Sequence, residues 1–270
     1  IIRDLDKISF KEWFLNHGGS LRSLERMWDP IAYALGFINC EDISARCMLT
    51  IFMMFASKTE ASKLNLLKGS PHKWLTQPIV DYISKKGCKI HLNHKVKEII
   101  YEKNASDYTV SQLKIDAPEG NKTVFADTFL AACDVPGIKK IVPQEWYKFK
   151  EFNGIKKLRA VAVATIQLRY DGWVTELKGD NKSQPPTGLD NLLYSADASF
   201  SCFADLALAS PADYKKEGMG SLLQCVLTPG DRWMGRSTEK ITQEIDIEVR
   251  RLFPSSKNLK LLWSNVVQIP

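Results

Sequence analysis

The stretch Gln77-Pro-Ile-Val-Asp-Tyr-Ile-Ser-Lys-Lys-Gly-Cys-Lys-Ile-His-Leu-Asn-His-Lys-Val-Lys-Glu-Ile-Ile-Tyr-Glu102 holds the point where the chain changes its period. Through Lys86 it reads as a helix, with Pro near the start, where a missing N–H costs nothing, and Gly87 as the stop. After Gly87 the period becomes two. Residues 89–93 and 95–102 alternate apolar with polar side chains, the pattern of half-buried strands. Helices therefore gather before this junction and strands after it, an α+β layout.

Before the junction, Ser9-Phe-Lys-Glu12 is a capping-box pattern that opens a short helix, and Gly18-Gly19 closes it. Ser20 caps a second helix that runs to Asp29-Pro30 and continues over 31–35 to Gly36. Asp42 is the expected cap of a third, over 43–58, whose centre Met48-Leu-Thr-Ile-Phe-Met-Met-Phe55 is apolar nearly all round. A helix with no polar face is buried or serves a greasy purpose.

After the junction, residues 108–115, 123–125 and 128–133 read as further strands of a mixed sheet, with Pro118-Glu-Gly-Asn121 as a turn. Short helices are expected over 135–142 and 144–150. Strands are expected over 158–170, 191–194, 200–208, 221–227 and 259–269. Ile241, Ile245, Val249 and Leu252 form one helical face within 238–253, stopped by Pro254. No internal repeat is present, and the one soft loop is 179–188, with Pro185-Pro186.

The 270 residues are 44% hydrophobic and 25% charged, a globular composition that excludes disordered and disulfide-scaffold classes. The longest nearly uncharged apolar stretch, 48–56, is far short of the roughly 20 residues that cross a bilayer. The chain opens Ile-Ile-Arg without Met and closes on Gln-Ile-Pro inside an alternating run, so it reads as the interior of a longer protein. Net charge is +6, with the excess between residues 76 and 160. There the lysines stand mostly at strand ends and turns, without the interleaved Arg and aromatic stripe of a nucleic-acid groove; no nucleic-acid partner is expected. Six cysteines (40, 47, 88, 133, 202 and 225) show no paired spacing. All but Cys40 and Cys88 stand in apolar runs and read as buried free thiols.

Conventional catalytic motifs are missing: the chain has no GxSxG, HExxH, P-loop or GxGxxG. His91 and His94, three apart on or beside a strand, are expected on opposite faces, and no acidic or Cys cluster completes a metal site with them. Neither a metal nor a particular catalytic residue can be named from the residues alone.

Three stretches resemble the plant- and cyanobacterial-type carotene desaturases, within the flavin-containing amine oxidase superfamily. The first is Arg26-Met-Trp-Asp-Pro-Ile-Ala-Tyr-Ala-Leu-Gly-Phe37 with Ile43-Ser-Ala-Arg-Cys-Met-Leu-Thr50. The second is Gly87-Cys-Lys-Ile-His-Leu-Asn93 with Val96-Lys-Glu-Ile99. The third is Ala131-Ala-Cys-Asp-Val-Pro-Gly-Ile138 with Leu168-Arg-Tyr-Asp-Gly-Trp-Val-Thr-Glu-Leu177. Gly188-Leu-Asp-Asn-Leu-Leu-Tyr194 and Ser201-Cys-Phe-Ala-Asp-Leu-Ala-Leu-Ala-Ser-Pro-Ala-Asp-Tyr214 resemble the zeta-carotene-desaturating branch in particular.

The resemblance implies an FAD-dependent dehydrogenation of a linear polyene. The substrate would be poly-cis zeta-carotene, converted by way of neurosporene toward poly-cis lycopene, with electrons passing to plastoquinone in plastids. It implies a helical substrate and membrane region over 1–86, part of an FAD-binding domain over 87–143, and a mixed-sheet substrate domain over 144–270. Val96 matches the strand position whose backbone meets the FAD adenine, and Ala131, Ala132 and Cys133 match the strand end that passes close to the cofactor. Met48, Phe52, Met53 and Phe55 would line or flank a hydrocarbon channel and a monotopic membrane contact. Arg46 would neutralise the reduced flavin, hold a quinone carbonyl, or form a surface ion pair.

Two departures bear on this resemblance. Amine-oxidising relatives carry a Lys on the strand read here as Ala160-Val-Ala-Val-Ala-Thr-Ile166, which has none, and that favours a hydrocarbon substrate. The family's strand–GxGxxG–helix and its second, Gly-rich flavin segment are absent from these 270 residues, so the stretch alone is expected to bind FAD weakly or not at all. The sister phytoene desaturases and a non-catalytic isoprenoid-binding relative are the alternative readings.

Overall fold

The computed structural model describes residues 2–104, 107–175 and 192–270. It divides into two compact units, Ile1–Ile79 with Val161–Pro270, and Val80–Ala160. Helix α1 (Phe10–Asn16) starts as the capping box requires, with Ser9 Oγ accepting from the Glu12 amide at 3.1 Å. Ser20 caps α2 (Leu21–Ser23), which passes through a π-helical turn, Leu24–Trp28, into α3 (Asp29–Gly36). Helix α4 (Ala45–Ser57) is capped by Ser44, whose Oγ accepts from the Cys47 amide, and not by Asp42. The Asp42 amide is taken up in a turn on Asn39, and Ser44 is held extended by a bridge to Ser9, which is the geometry a cap needs. Phe10, Leu24, Ala32, Cys40, Ile43 and Met48 form the core of these helices. The helix α5 (Gln77–Lys85) ends before Gly87 as expected.

In the unit Val80–Ala160, β1 (Lys95–Lys103), β2 (Tyr108–Ala117) and β3 (Gly120–Phe125) form an antiparallel meander. Helices α6 (Val135–Ile141) and α7 (Lys150–Lys157) follow. The loop before α7 is pinned to the hairpin end by aromatic packing. Trp146, 6% exposed, packs at a tilt on Tyr101 and edge to face on Tyr108, and both tyrosine hydroxyls donate to the Glu145 carboxylate. That bond pushes the Tyr101 pKa up to about 12 and holds Glu145 below the usual carboxylate range.

Two expected strands of this unit are irregular. Residues 89–93 and 128–133 carry the alternation, yet neither pairs with a strand among the described residues, and Ile90, Leu92 and Leu130 stand 46%, 77% and 92% exposed. Alternation marks a chain able to pair, and pairing needs a partner edge. Asn93 adopts a left-handed conformation (φ 59°), which folds His91 and His94 to the same side with ring centroids 5.0 Å apart. The expectation of opposite faces fails there because the pair sits in a turn. No metal-holding group of three occurs among the described residues.

The second sheet is built from β4 (Val163–Tyr170), β5 (Leu193–Tyr194), β6 (Phe200–Asp205), β7 (Leu222–Leu227) and β8 (Leu261–Ile269), in the order β5-β6-β7-β4-β8. Every described pairing is antiparallel, where a mixed sheet is expected. Alternation sets which face a residue takes but not the direction of its neighbour. Strand β4 starts at Val163, because 158–162 run outside the sheet, and β6 stops at Asp205. Asp205 caps α8 (Leu206–Ala209) by accepting from Ala207, and α9 (Pro211–Tyr214) follows. Helix α10 (Thr238–Leu252) lays Ile241, Ile245 and Val249, all fully buried, on the sheet core of Ile166, Leu168, Leu223 and Leu227. The loop 179–188 and residues 188–191 of the family-like run lie outside the described residues.

Cys202 and Cys225 are buried in this sheet as expected, and burial pushes the Cys202 thiol up to about 11. Cys40 is buried too, whereas Cys47, Cys88 and Cys133 are exposed. An apolar run buries a thiol only where another element covers it.

Candidate functional site

The helix without a polar face is covered on one side only. Met48, Ile51, Phe52 and Phe55, at helical spacings of three and four, give α4 one stripe that lines a cavity of about 360 Å³. The opposite wall comes from the π-helical turn and α3, through Arg26, Met27, Trp28, Pro30, Ile31 and Leu35. A π turn holds more residues than an α turn and recurs at functional sites. Tyr194, Ser195 and Ala196, at the end of β5, complete the rim. Cavities of this size hold small-molecule ligands in other proteins.

Among the described residues, Arg26 is the one charged residue of this lining, and its charge is already met. Its guanidinium grips the Asp197 carboxylate in a bidentate pair, with Nη2 to Oδ2 at 2.9 Å. The same hydrogen bonding raises the Arg26 pKa and lowers that of Asp197. Tyr194 is held above the phenol range by burial. Among the described residues, no carboxylate–histidine pair or nucleophile–base pair lines the cavity. What it offers is a mostly apolar cleft whose edge residues Met27 and Phe52 are half exposed.

Of the residues singled out from the sequence, the fold brings Met48, Phe52 and Phe55 together on this cavity. Met53, 49% exposed, is outside its lining. Arg46 forms an ion pair with Asp6, both about half exposed, and is not part of the lining. Trp28 and Tyr194 went unnoticed in the sequence. Trp28 lies in the quoted family-like stretch, but only the π turn places it on the wall.

The candidate cofactor residues lie in the other unit. Val96 stands near the start of β1, paired with Ile115 and followed by a register shift before Glu98. Ala131, Ala132 and Cys133 form an exposed segment that ends at Asp134, the N-cap of α6, and α6 packs against β1. Small exposed side chains beside an open strand leave backbone accessible to a flat ring system, so these residues fit the approach of a flavin dinucleotide.

The 201–214 run has a second task. Asp213 accepts from the Ser70 amide at 2.8 Å, from Trp74 Nε1 at 2.7 Å and from Lys73 Nζ at 3.1 Å, and Ser210 Oγ donates to the Leu67 carbonyl at 2.7 Å. These bonds tether 67–74 to α9, and the Ser70 amide is the largest of the causes that lower the Asp213 pKa. A lowered folded-state pKa means the tether is at full strength above the unfolded carboxylate value, about 3.9, and is lost as pH falls through the lower folded value. Tryptic cleavage after Lys68 and Lys73 is therefore slow in the native chain at neutral pH. Asp213→Ala accelerates it without affecting cleavage after Lys240; equal rates at both places would show that no tether exists.

A family model described as "Flavin containing amine oxidoreductase" matches residues 2–266. The chain is 58% identical to the "Probable zeta-carotene desaturase" of Synechococcus elongatus, over 100% of this chain and 56% of that protein. It is 56% identical to the "Zeta-carotene desaturase, chloroplastic/chromoplastic" of Arabidopsis thaliana, over 99% and 49%. Identity falls to 28% with the "15-cis-phytoene desaturase, chloroplastic/chromoplastic" of Capsicum annuum, over 98% and 43%. The chain thus spans about half the length of the curated relatives it matches. In fold it resembles wild-type putrescine oxidase bound to putrescine, with TM-score 0.63 at 14% identity over 98% of this chain and 54% of that one.

Proposed function

From the premise that the chain belongs to the flavin containing amine oxidoreductase family, we propose that it is part of an FAD-dependent enzyme of carotenoid biosynthesis. In this reading it desaturates poly-cis zeta-carotene, by way of neurosporene, toward poly-cis lycopene. The carrying observation is the contrast in identity along the whole chain: 58% to a zeta-carotene desaturase against 28% to a phytoene desaturase. The apolar cavity, whose one charge is neutralised by Asp197, supports a hydrocarbon substrate.

FAD, when bound, supplies the acceptor for the hydride equivalent that leaves a saturated C–C unit. Val96, Ala131, Ala132 and Cys133 would hold it, and 87–143 would be part of its domain. Met48, Ile51, Phe52 and Phe55 exclude water and align the polyene, a positioning role that needs no acid–base pair. Residues 1–86 serve substrate and membrane, and 144–270 the substrate domain. The electrons go to a quinone. In a plant the setting is the plastid, as the Arabidopsis relative's name indicates.

Product analysis tests the reading. The full-length enzyme of which this chain is part, supplied with FAD and plastoquinone, converts zeta-carotene to neurosporene and lycopene and leaves phytoene untouched. Turnover of phytoene alone would transfer it to the sister reaction.

Contact with the membrane is monotopic and made through α4. No helix among the described residues is long and apolar enough to cross a bilayer, while Phe52, Met53 and Met54 are 53%, 49% and 60% exposed. Apolar side chains on one helix, dipped into the interface, give reversible attachment. Flotation with phosphatidylglycerol-containing vesicles checks this: Met53→Glu with Met54→Glu lowers the bound fraction about threefold or more. An unchanged fraction moves the contact elsewhere.

A further inference from the structure

Trp28 and Phe52 face each other from the two walls of the cavity, edge to face, with ring centroids 5.9 Å apart and planes at 66°. The two rings are anchored very differently. Trp28 packs on Phe10 at 5.2 Å and Phe14 at 5.8 Å, and Phe10 is itself 2% exposed in the core of the helices. Phe52 has Trp28 as its ring partner and is 53% exposed. One ring is thus partly buried and packed against the core, and the other stands at the edge of the cavity with solvent beside it. A half-exposed aromatic changes rotamer within nanoseconds, whereas a ring locked in a packed core moves only if its neighbours do.

The backbone reinforces the asymmetry. Trp28 closes the π-helical turn Leu24–Trp28, directly before Asp29-Pro30, and the Asp29 carboxylate accepts from the Cys40 amide at 2.8 Å. The wall that carries Trp28 is therefore tied to the loop after α3 by a partly buried bond. Phe52 sits mid-helix on α4, where its side chain alone can swing.

We propose that the Trp28–Phe52 pair is the shape filter of the cavity, with Trp28 as fixed stop and Phe52 as movable side, and that it admits acyclic isoprenoid ends and rejects ring-ended polyenes. This rests on the reading that the cavity takes a carotenoid. The reason is geometric. At 5.9 Å between centroids the two rings touch edge to face, so a passage opens only when one of them moves, and its width is then set by the ring that stays. An extended acyclic isoprenoid chain is little wider than its methyl branches and passes when Phe52 turns toward solvent. A trimethylcyclohexenyl ring is thick in both directions and needs Trp28 displaced, against its packing on Phe10 and Phe14.

The experiment is co-elution of polyene with protein in gel filtration from detergent micelles, read by polyene absorbance. The two probes are zeta-carotene, acyclic at both ends, and β-carotene, ringed at both. The native chain retains zeta-carotene with a preference of about tenfold or more, within the range an apolar pocket discriminates by size. Phe52→Ala, which alters a half-exposed side chain and leaves the core intact, lowers that preference to about twofold by admitting β-carotene. Trp28→Ala does the same, and Trp28→Phe, which keeps an aromatic on Phe10 and Phe14, retains most of it. If folded Phe52→Ala and Trp28→Ala keep the native preference, or the native chain retains both polyenes equally, the filter is wrong while the cavity remains a carotenoid site. If the native chain retains neither polyene, the cavity reading fails, and the filter with it.

Discussion

Replacing Arg169 by Met lowers the free energy of unfolding by about 3–5 kcal/mol, read as a shift of the urea midpoint at pH 7. Arg169 lies in β4 and is 1% exposed, yet it carries a guanidinium into the sheet's interior. It donates to the Gly220 carbonyl at 3.0 Å and to the Tyr214 carbonyl at 2.8 Å. Burial lowers its pKa, and the charge of Asp205 opposes that fall. Asp205, also 1% exposed, accepts through one oxygen from the Ala207 and Leu222 amides, each at 3.1 Å. Methionine fills the volume but orphans one buried and one partly buried carbonyl and leaves a buried carboxylate without the cation that offsets it. A loss below about 1 kcal/mol would show that water already serves those groups.

Asp205 provides the matching control. Burial raises its folded-state pKa against the opposing hydrogen bonds. The protonated form is thus favoured on folding: its contribution is complete below the unfolded value, about 3.9, and is lost as pH rises through the folded value. Asp205→Asn keeps an acceptor for the two amides and removes that pH dependence but also the charge that faces Arg169, so near neutrality it costs less than Arg169→Met without being neutral. Asp205→Leu loses the cap and strands Arg169, and it behaves like Arg169→Met.

Gly220→Ala is expected to cost at least about 3 kcal/mol, the upper range of overpacking damage, because the new atom meets backbone and not a side chain that can turn away. A Cβ at Gly220 would lie 2.0 Å from the Gly172 carbonyl carbon and oxygen and 2.4 Å from its Cα. The two segments pass that closely because the Gly220 amide donates to the Tyr170 carbonyl and the Ser221 amide to the Gly172 carbonyl, at 3.1 and 3.0 Å. Gly218 nearby is the contrast: its φ of 71° disfavours a side chain, but nothing lies within 4 Å. Gly218→Ala therefore costs about 1 kcal/mol of backbone strain. Thermal unfolding of both variants checks the pair, and equal midpoints would refute the close-approach argument.

Much of the site's chemistry could be read from the chain before any fold was known. The apolar stretch at 48–55 marked one wall of the cavity because its greasy residues outnumber what one buried face requires. The partner wall was hidden, since Trp28 sits among residues that read as an ordinary helix. A π turn has no composition of its own, so nothing local announces that Arg26, Met27 and Trp28 share one surface. For Arg46 the sequence favours a surface ion pair over a flavin or a quinone carbonyl, and the fold supplies Asp6 as the partner of that pair.

Local order followed from local residues. The capping box at Ser9, the stop before Gly87, the turn at Pro118 and the buried stripe of α10 depend on neighbours a few positions apart, and short-range sterics and hydrogen bonding specify such features. Family membership was likewise carried by runs of contiguous residues. The tertiary structure decided what depends on partners far along the chain. It set strand direction in the second sheet, left 89–93 and 128–133 without a partner strand among the described residues, exposed Cys47 and Cys133, and placed Trp28 opposite Phe52. The physical reason is common to all of these: alternation and apolarity state that a residue can be covered, while the covering element is chosen by contacts across tens or hundreds of residues.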